Sequence, residues 1–338
     1  MRRRKFINGE VNHTYQRTMS GFNIFYEVED YLVYYTIFSV LAIKYGIMVY
    51  GLCLMIDHIH SLISAADRKS FCGFIRHVSL LFVKEYNKAH KRSGPIFQEG
   101  FGSAPKIGLK RLRTAIAYLF NNPVERFLCS KAQEYRWNFL PYAQCKNPYS
   151  EPIRLRLASR ALRRAIKEVD GTRERGQHIT YTMIRRLFST LDKKEKNQLT
   201  DYIIVRYSVI RYDLLTACYG GLGNMILAIN SNTGSEYDIR EEWYPESDTA
   251  YIKMTDYIRN KWPGKPVRSV IMITPEEKIR LAKELKNNTS GSRRQIARFL
   301  HTEEDNLADK QLSHNDLLKP RAAQREHAVF IKDCRSED

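Results

Sequence analysis

Residues 47–64 read IMVYGLCLMIDHIHSLIS: an apolar run, a three-residue break and a second apolar run. Each run is the length of a strand and apolar enough to be one. Met55, Ile56 and Asp57 make a tight turn between them, so 47–54 and 58–64 read as a hairpin. A hairpin this apolar commits the chain to an antiparallel sheet.

The neighbouring segments say what surrounds that sheet. EVNHTYQRT, 10–18, is a strand by its β-formers, and EDYLVYYTIFSVLAIKYG, 29–46, is long and apolar enough for a buried helix. Phe71, Phe74, Ile75, Val78, Phe82 and Tyr86 recur at helical spacing within 70–92. SGPIFQEGFGSAPK is a glycine-punctuated loop with room for one short strand. KRLRTAIAYLFNN, 110–122, is a helix that Pro123 is expected to stop. Strand, helix, hairpin, helix, connection and helix predict an α+β domain of ferredoxin-like type over residues 1–148, closed by the aromatic run YRWNFLPY.

Residues 149–338 have a different texture and are expected to be mostly helical and basic. Arg156, Arg160, Arg163 and Arg164 lie on nearby turns of one basic helix, and 179–262 is broken at GGLG and NSNTGSE. Thr274 with Pro275 starts a helix; Ser292 with Gln295 makes a capping box for a second. Two short helices across a tight turn, 274–301, with Arg293, Arg294 and Arg298 on the second, are compatible with a helix-turn-helix or with a plain helical hairpin. The tail from about 310 is polar.

Bulk properties narrow the function classes. Lys plus Arg is 55 against 37 for Asp plus Glu, a net charge of +18, with a pI near 9.6. That balance points to a polyanionic partner, most simply nucleic acid. The longest apolar run, 45–56, has 12 residues, against roughly 20 for a membrane span. MRRRKFINGE is not followed by the apolar stretch of a signal peptide. The expected place is the cytosol, with no membrane partner. The six cysteines show no C-x-x-C spacing, which argues against a thiolate zinc site and suits a reduced compartment.

Two pairs of residues carry chemistry. In a strand, residues i and i+2 share a face, so His58 and His60 are adjacent whatever the register, a ready pair of metal ligands. An H-x-H in a strand is also common packing. On the helix at 110–122, Leu109, Leu112, Ile116 and Leu119 form an apolar stripe. Tyr118 lies about 140° from the centre of that stripe, with Asn122 one turn on. Arg111 and Thr114 share the off-stripe face.

Taken together, four motifs resemble a known family. LMIDHIHSLI resembles the L-M-P-D-H-x-H-L-L signature of the HUH single-tyrosine transposases. AYLFNNPVE followed by YRWNF resembles the Y-I-x-x-N-P-V and R-W-S segments of the REP-associated tyrosine transposases. RSGPIFQEGF resembles that family's G-x-L-F-Q-x-R-F loop, and VNHTYQRT its first strand. Order and spacing agree over residues 8–145. Ile56 stands where the family has proline, Phe120 and Asn121 where it has H-L, and Glu99 and Gly100 interrupt the usual basic loop.

The resemblance implies a single-stranded or hairpin DNA partner and a divalent cofactor, Mg2+ or Mn2+, held by His58, His60 and Asn122. It implies that Tyr118 attacks a DNA phosphate, keeps the 5′ phosphate as phosphotyrosine and releases a 3′ hydroxyl. Arg17, Lys110, Arg111, Arg113, Arg293, Arg294 and Arg298 are the expected DNA contacts. Two other classes are compatible with the residues: a DNA-binding protein derived from a transposase without turnover, and a metal-dependent hydrolase using the H-x-H pair. Monomer and dimer both suit the chain.

Overall fold

The computed structural model describes residues 6–231 and 247–307. The polar tail from about 310, and most of the NSNTGSE break, lie outside the described residues. Among the described residues four strands, β1 (Asn12–Arg17), β2 (Met48–Leu54), β3 (His58–Ser64) and β4 (Gly102–Pro105), form one sheet in the order β2-β3-β1-β4. Every pairing is antiparallel. The hairpin falls where the apolar pattern puts it.

Helices α1 (Val28–Lys44) and α2 (Arg68–Ala89) connect the strands, and α3 (Leu109–Glu125) follows β4. Strand parity separates the two faces of the sheet. Thr14, Gln16, Ile59 and Ser61 line a small cavity with Tyr34 and Phe38 of α1 and Phe74 and Val78 of α2. His13 and His60 face the other way, toward Tyr118 of α3. α1 is apolar all round because it is enclosed: Leu32, Val33 and Ile37 are completely buried. The run YRWNF closes over it, Trp137 stacking on Tyr31 with ring centroids 4.2 Å apart and Phe139 on Tyr35 at 4.3 Å.

Among the described residues eight further helices follow: α4 (Arg160–Glu174), α5 (Tyr181–Ser189), α6 (Lys193–Tyr207), α7 (Tyr212–Cys218), α8 (Leu222–Asn230), α9 (Thr249–Lys261), α10 (Pro275–Asn288) and α11 (Arg293–Leu300). The apolar core does not divide at residue 148. One cluster runs from Val11 through the sheet and α1–α3 to Ile229 of α8. A second joins α9, α10 and α11 to Tyr26 and Ile56, the latter in the hairpin turn. Within this second cluster Tyr26 donates to the Phe299 carbonyl at 2.6 Å, and the amide of Val267 ties it to the start of α1 by donating to the Glu27 carboxylate at 2.9 Å. Among the described residues no helix is long and apolar enough to cross a membrane.

Pro123 does not stop α3, which runs to Glu125. Proline forfeits only its own amide bond, and here it sits in the last turn, where the amide of Arg126 still reaches the Asn122 carbonyl at 3.1 Å.

Candidate functional site

α3 lies close against β2 because Gly51 has no side chain. A Cβ there would stand 3.1 Å from Leu119 Cδ2 and 3.3 Å from Phe120 Cζ. On its other side α3 meets α8. Its C-terminal half is therefore covered on all sides, from Ala115 to Pro123. This corrects the stripe read from the sequence. Leu109 is exposed, and Tyr118, off the stripe, is only 3% exposed. The tyrosine faces away from Ile116 and Leu119 into a second enclosed region, the imidazole cluster of the sheet.

That cluster gathers His58, His60 and His13. The rings of His58 and His60 stand perpendicular, with centroids 4.9 Å apart. His60 is 5.9 Å from the Tyr118 ring, and His13 is 5.7 Å from it. His13 Nε2 lies 3.1 Å from His60 Nδ1, within hydrogen-bond distance. The β1–β3 register pairs Tyr15 with His60, which leaves His13 diagonal to it on the same face. Sequence reasoning misses His13. Its parity on β1 was a signal, but only the register brings it to His60.

Tautomers follow from the partners. His58 Nδ1 lies 2.6 Å from Asp57 Oδ1 and is the donor to that carboxylate. In the neutral imidazole Nε2 then carries the lone pair, and that atom is buried without a hydrogen-bond partner among the described residues. Asn122 Nδ2 donates to the Tyr118 hydroxyl at 3.3 Å, and Asn122 Oδ1 is likewise buried without such a partner. A buried polar atom left unbonded costs about 1–3 kcal/mol and calls for an explanation. No group of three or more His, Cys, Asp or Glu among the described residues is placed to hold a metal. The donors on offer are two imidazoles and one amide oxygen, a mixed set that accepts Mn2+ readily and Mg2+ less so.

A second ring of charge surrounds Asp57. Burial would raise its pKa, but His58, Arg126 and Arg298 outweigh burial and hold it down to about 2. Asp248, contributed by the start of the α9 segment, is pushed up to about 6 by burial and by Asp57, against the pull of Arg126. Its Oδ2 stands 3.5 Å from Arg126 Nε. A group from beyond residue 240 thus bears on the charge around the H-x-H pair.

The expected DNA contacts are not all alike. Arg17 is half-buried and pairs in register with His58, on the same face of the sheet. Lys110 and Arg111 are exposed at the start of α3. Arg113 instead donates to the Cys218 carbonyl and lies over the Tyr219 ring. α10 starts at Thr274 and α11 at Ser292 as expected; Ser292 makes the expected capping box with Gln295, and Thr274 makes one with Glu277 that the sequence reading did not include. The second helix does not offer three open guanidinium groups, however. Arg293 donates to the Glu304 carbonyl, Arg294 is 3.8 Å from the Glu304 carboxylate, and Arg298 packs on Gly21. α11 is amphipathic and needs a core, and docking it on the hairpin turn carries Arg298 inward.

No protein-family model matches this sequence, and no curated protein matches it. Among solved structures, a REP-associated tyrosine transposase bound to a REP hairpin aligns over 40% of this chain and 80% of that one, at 15% identity and a TM-score of 0.35. A likeness of that size leaves the reading of the site to the geometry of its own residues.

Proposed function

We propose that the chain is a metal-dependent, tyrosine-nucleophile enzyme that cuts and rejoins single-stranded DNA, a transposase of the HUH type. The βαββαβ order and the sheet order β2-β3-β1-β4 agree with a ferredoxin-like catalytic domain. The observation that carries the reading is the convergence of Tyr118, its Asn122 partner and the His58–His60 pair in one buried cluster.

His58 Nε2, His60 and Asn122 Oδ1 would hold the divalent ion, which when bound polarises the scissile phosphate and neutralises developing charge. Asn122 orients the phenol. Its amide hydrogen bond also favours the phenolate, which a free tyrosine with a pKa near 10 seldom presents at neutral pH. The Tyr118 oxygen attacks phosphorus and loses its proton to solvent. A 5′-phosphotyrosine bond forms, the bond to the 3′ oxygen breaks, and that oxygen takes up a proton. Attack by another 3′ hydroxyl reverses the exchange without ATP. Arg17, on the same face as His58, is suited to a backbone phosphate.

One observation favours a second reading. Tyr118 and His58 are 3% and 8% exposed, so a phosphate reaches them only if their cover moves. A DNA-binding protein that keeps the cluster without turnover would look the same. Incubation with 5′- and 3′-labelled hairpin-bearing single strands and Mn2+ decides between them. The expected product is a denaturation-resistant adduct carrying the 5′ phosphate, lost in Tyr118→Phe and with chelator. An adduct that persists in the phenylalanine variant assigns the wrong tyrosine. No adduct from the unmodified chain favours the binder.

A further inference from the structure

We propose that the outer face of α4 is a second nucleic-acid site, one that grips the phosphate backbone of duplex DNA outside the tyrosine cluster. The helix is divided lengthwise. Leu162, Ala165, Ile166 and Val169 are buried in the main core. Arg160, Arg163, Arg164 and Lys167 repeat the same i, i+3, i+4, i+7 spacing and are all exposed. At 100° per residue the centres of the two stripes lie about 160° apart. The cations therefore point straight away from the core.

Their lack of neutralisation is the second observation. The acidic residues of α4 are all engaged by arginines of other helices. Glu168 pairs with Arg186, while Asp170 accepts from Arg206 Nε at 2.7 Å and Glu174 lies 3.4 Å from Arg206. No ion pair is formed by Arg160, Arg163, Arg164 or Lys167 among the described residues, and exposed Arg154 and Arg156 precede them. The first turn carries no acid. Cations there oppose the helix dipole, so they do not serve the stability of α4.

Geometry selects the occupant. The stripe is rigid and about 10 Å long, a length over which a duplex presents on the order of six phosphates. α4 carries no aromatic side chain, so it offers no platform on which unpaired bases stack. Its apolar face is already buried, which removes the means by which an amphipathic helix enters a lipid surface. What remains is sequence-independent contact with a duplex backbone, such as the stem of a hairpin.

The test uses the full chain with the quadruple substitution R160Q/R163Q/R164Q/K167Q, and as a control K69Q/R76Q/K84Q/K88Q on α2, on the opposite face of the sheet from the histidines. Binding of a fluorescent DNA hairpin is measured from low to moderate salt. The α4 variant should lower the slope of log K against log salt by about 3.6, near 0.9 for each of the four lost phosphate contacts, and weaken low-salt binding at least tenfold. The control should change the slope by less than one. R160K/R163K/R164K should restore it, since phosphate contact needs charge. Equal loss in both glutamine variants, or none in the α4 variant, overturns the proposal. So does α4-dependent binding to phosphatidylserine vesicles with an unchanged DNA slope. Tyr118 adduct formation on a short unpaired strand is scored in parallel. It should survive the α4 substitutions, so the stripe and the nucleophile stand or fall separately.

Discussion

Asp57 Oδ1 lies 2.6 Å from Nδ1 of His58, its neighbour in sequence, across the junction between the hairpin turn and β3. The carboxylate fixes the tautomer of the neutral imidazole, whose ring stands 4.9 Å from that of His60. An imidazole so held is a better and better-aimed ligand than a free one.

If that ligand binds metal, Mn2+ affinity should depend on both residues. His58→Ala should abolish binding measured by calorimetry. Asp57→Asn, which keeps the shape but not the charge, should weaken it by about 10- to 100-fold. Unchanged affinity in both variants would remove the metal from this site.

Asp248 and Asp57 make opposite contributions to pH dependence. Asp57 is held at about 2, below the ordinary 3.8. Its contribution is present above about pH 4 and is lost as the pH falls toward 2. Asp248 is raised from 3.8 to about 6. Its contribution is full below about pH 4 and is lost as the pH rises through 6. Asp248→Asn should therefore flatten the decline in stability between pH 4.5 and 7.5, by on the order of 2–3 kcal/mol. Urea unfolding at the two pH values measures it; an identical decline in the variant contradicts the assignment.

Arg268 joins the α10 segment to α1. Its Nη1 lies 2.7 Å from Asp30 Oδ1, and Asp30 is completely inaccessible. Burial pushes the Asp30 carboxyl up, and Arg268 and His90 hold it below its ordinary value. Arg268→Met leaves a buried carboxylate without its cation and should cost about 3–5 kcal/mol. Adding Asp30→Asn should recover much of that loss in urea denaturation. A single variant as stable as the parent would show that the pair does not hold the two clusters together.

Gly51 sets the distance between β2 and α3. Gly51→Ala places a methyl against Leu119 and Phe120 and should cost about 1–3 kcal/mol by overpacking. The shift of α3 should also slow Tyr118 adduct formation. Thermal denaturation and the adduct rate test the two effects, and a full adduct rate at reduced stability would uncouple the helix position from the chemistry.

The sequence by itself determined what depends on backbone period and end chemistry. Parity put His58 and His60 on one face, and β3 begins and ends where the pattern predicts. Helical spacing placed Asn122 beside Tyr118, and Thr274 and Ser292 cap the helices that they were expected to cap. These relations hold within a few residues and need no partner element. The tertiary structure alone decided relations between elements. The burial of Tyr118 depends on both neighbours of α3, and His13 meets His60 only through the β1–β3 register. Arg298 turns inward because α11 must bury its apolar face on the hairpin turn, and Asp248 meets Arg126 only through the packing of the α9 segment. Local periodicity says which side chains share a face, whereas the packing of other elements decides what that face meets.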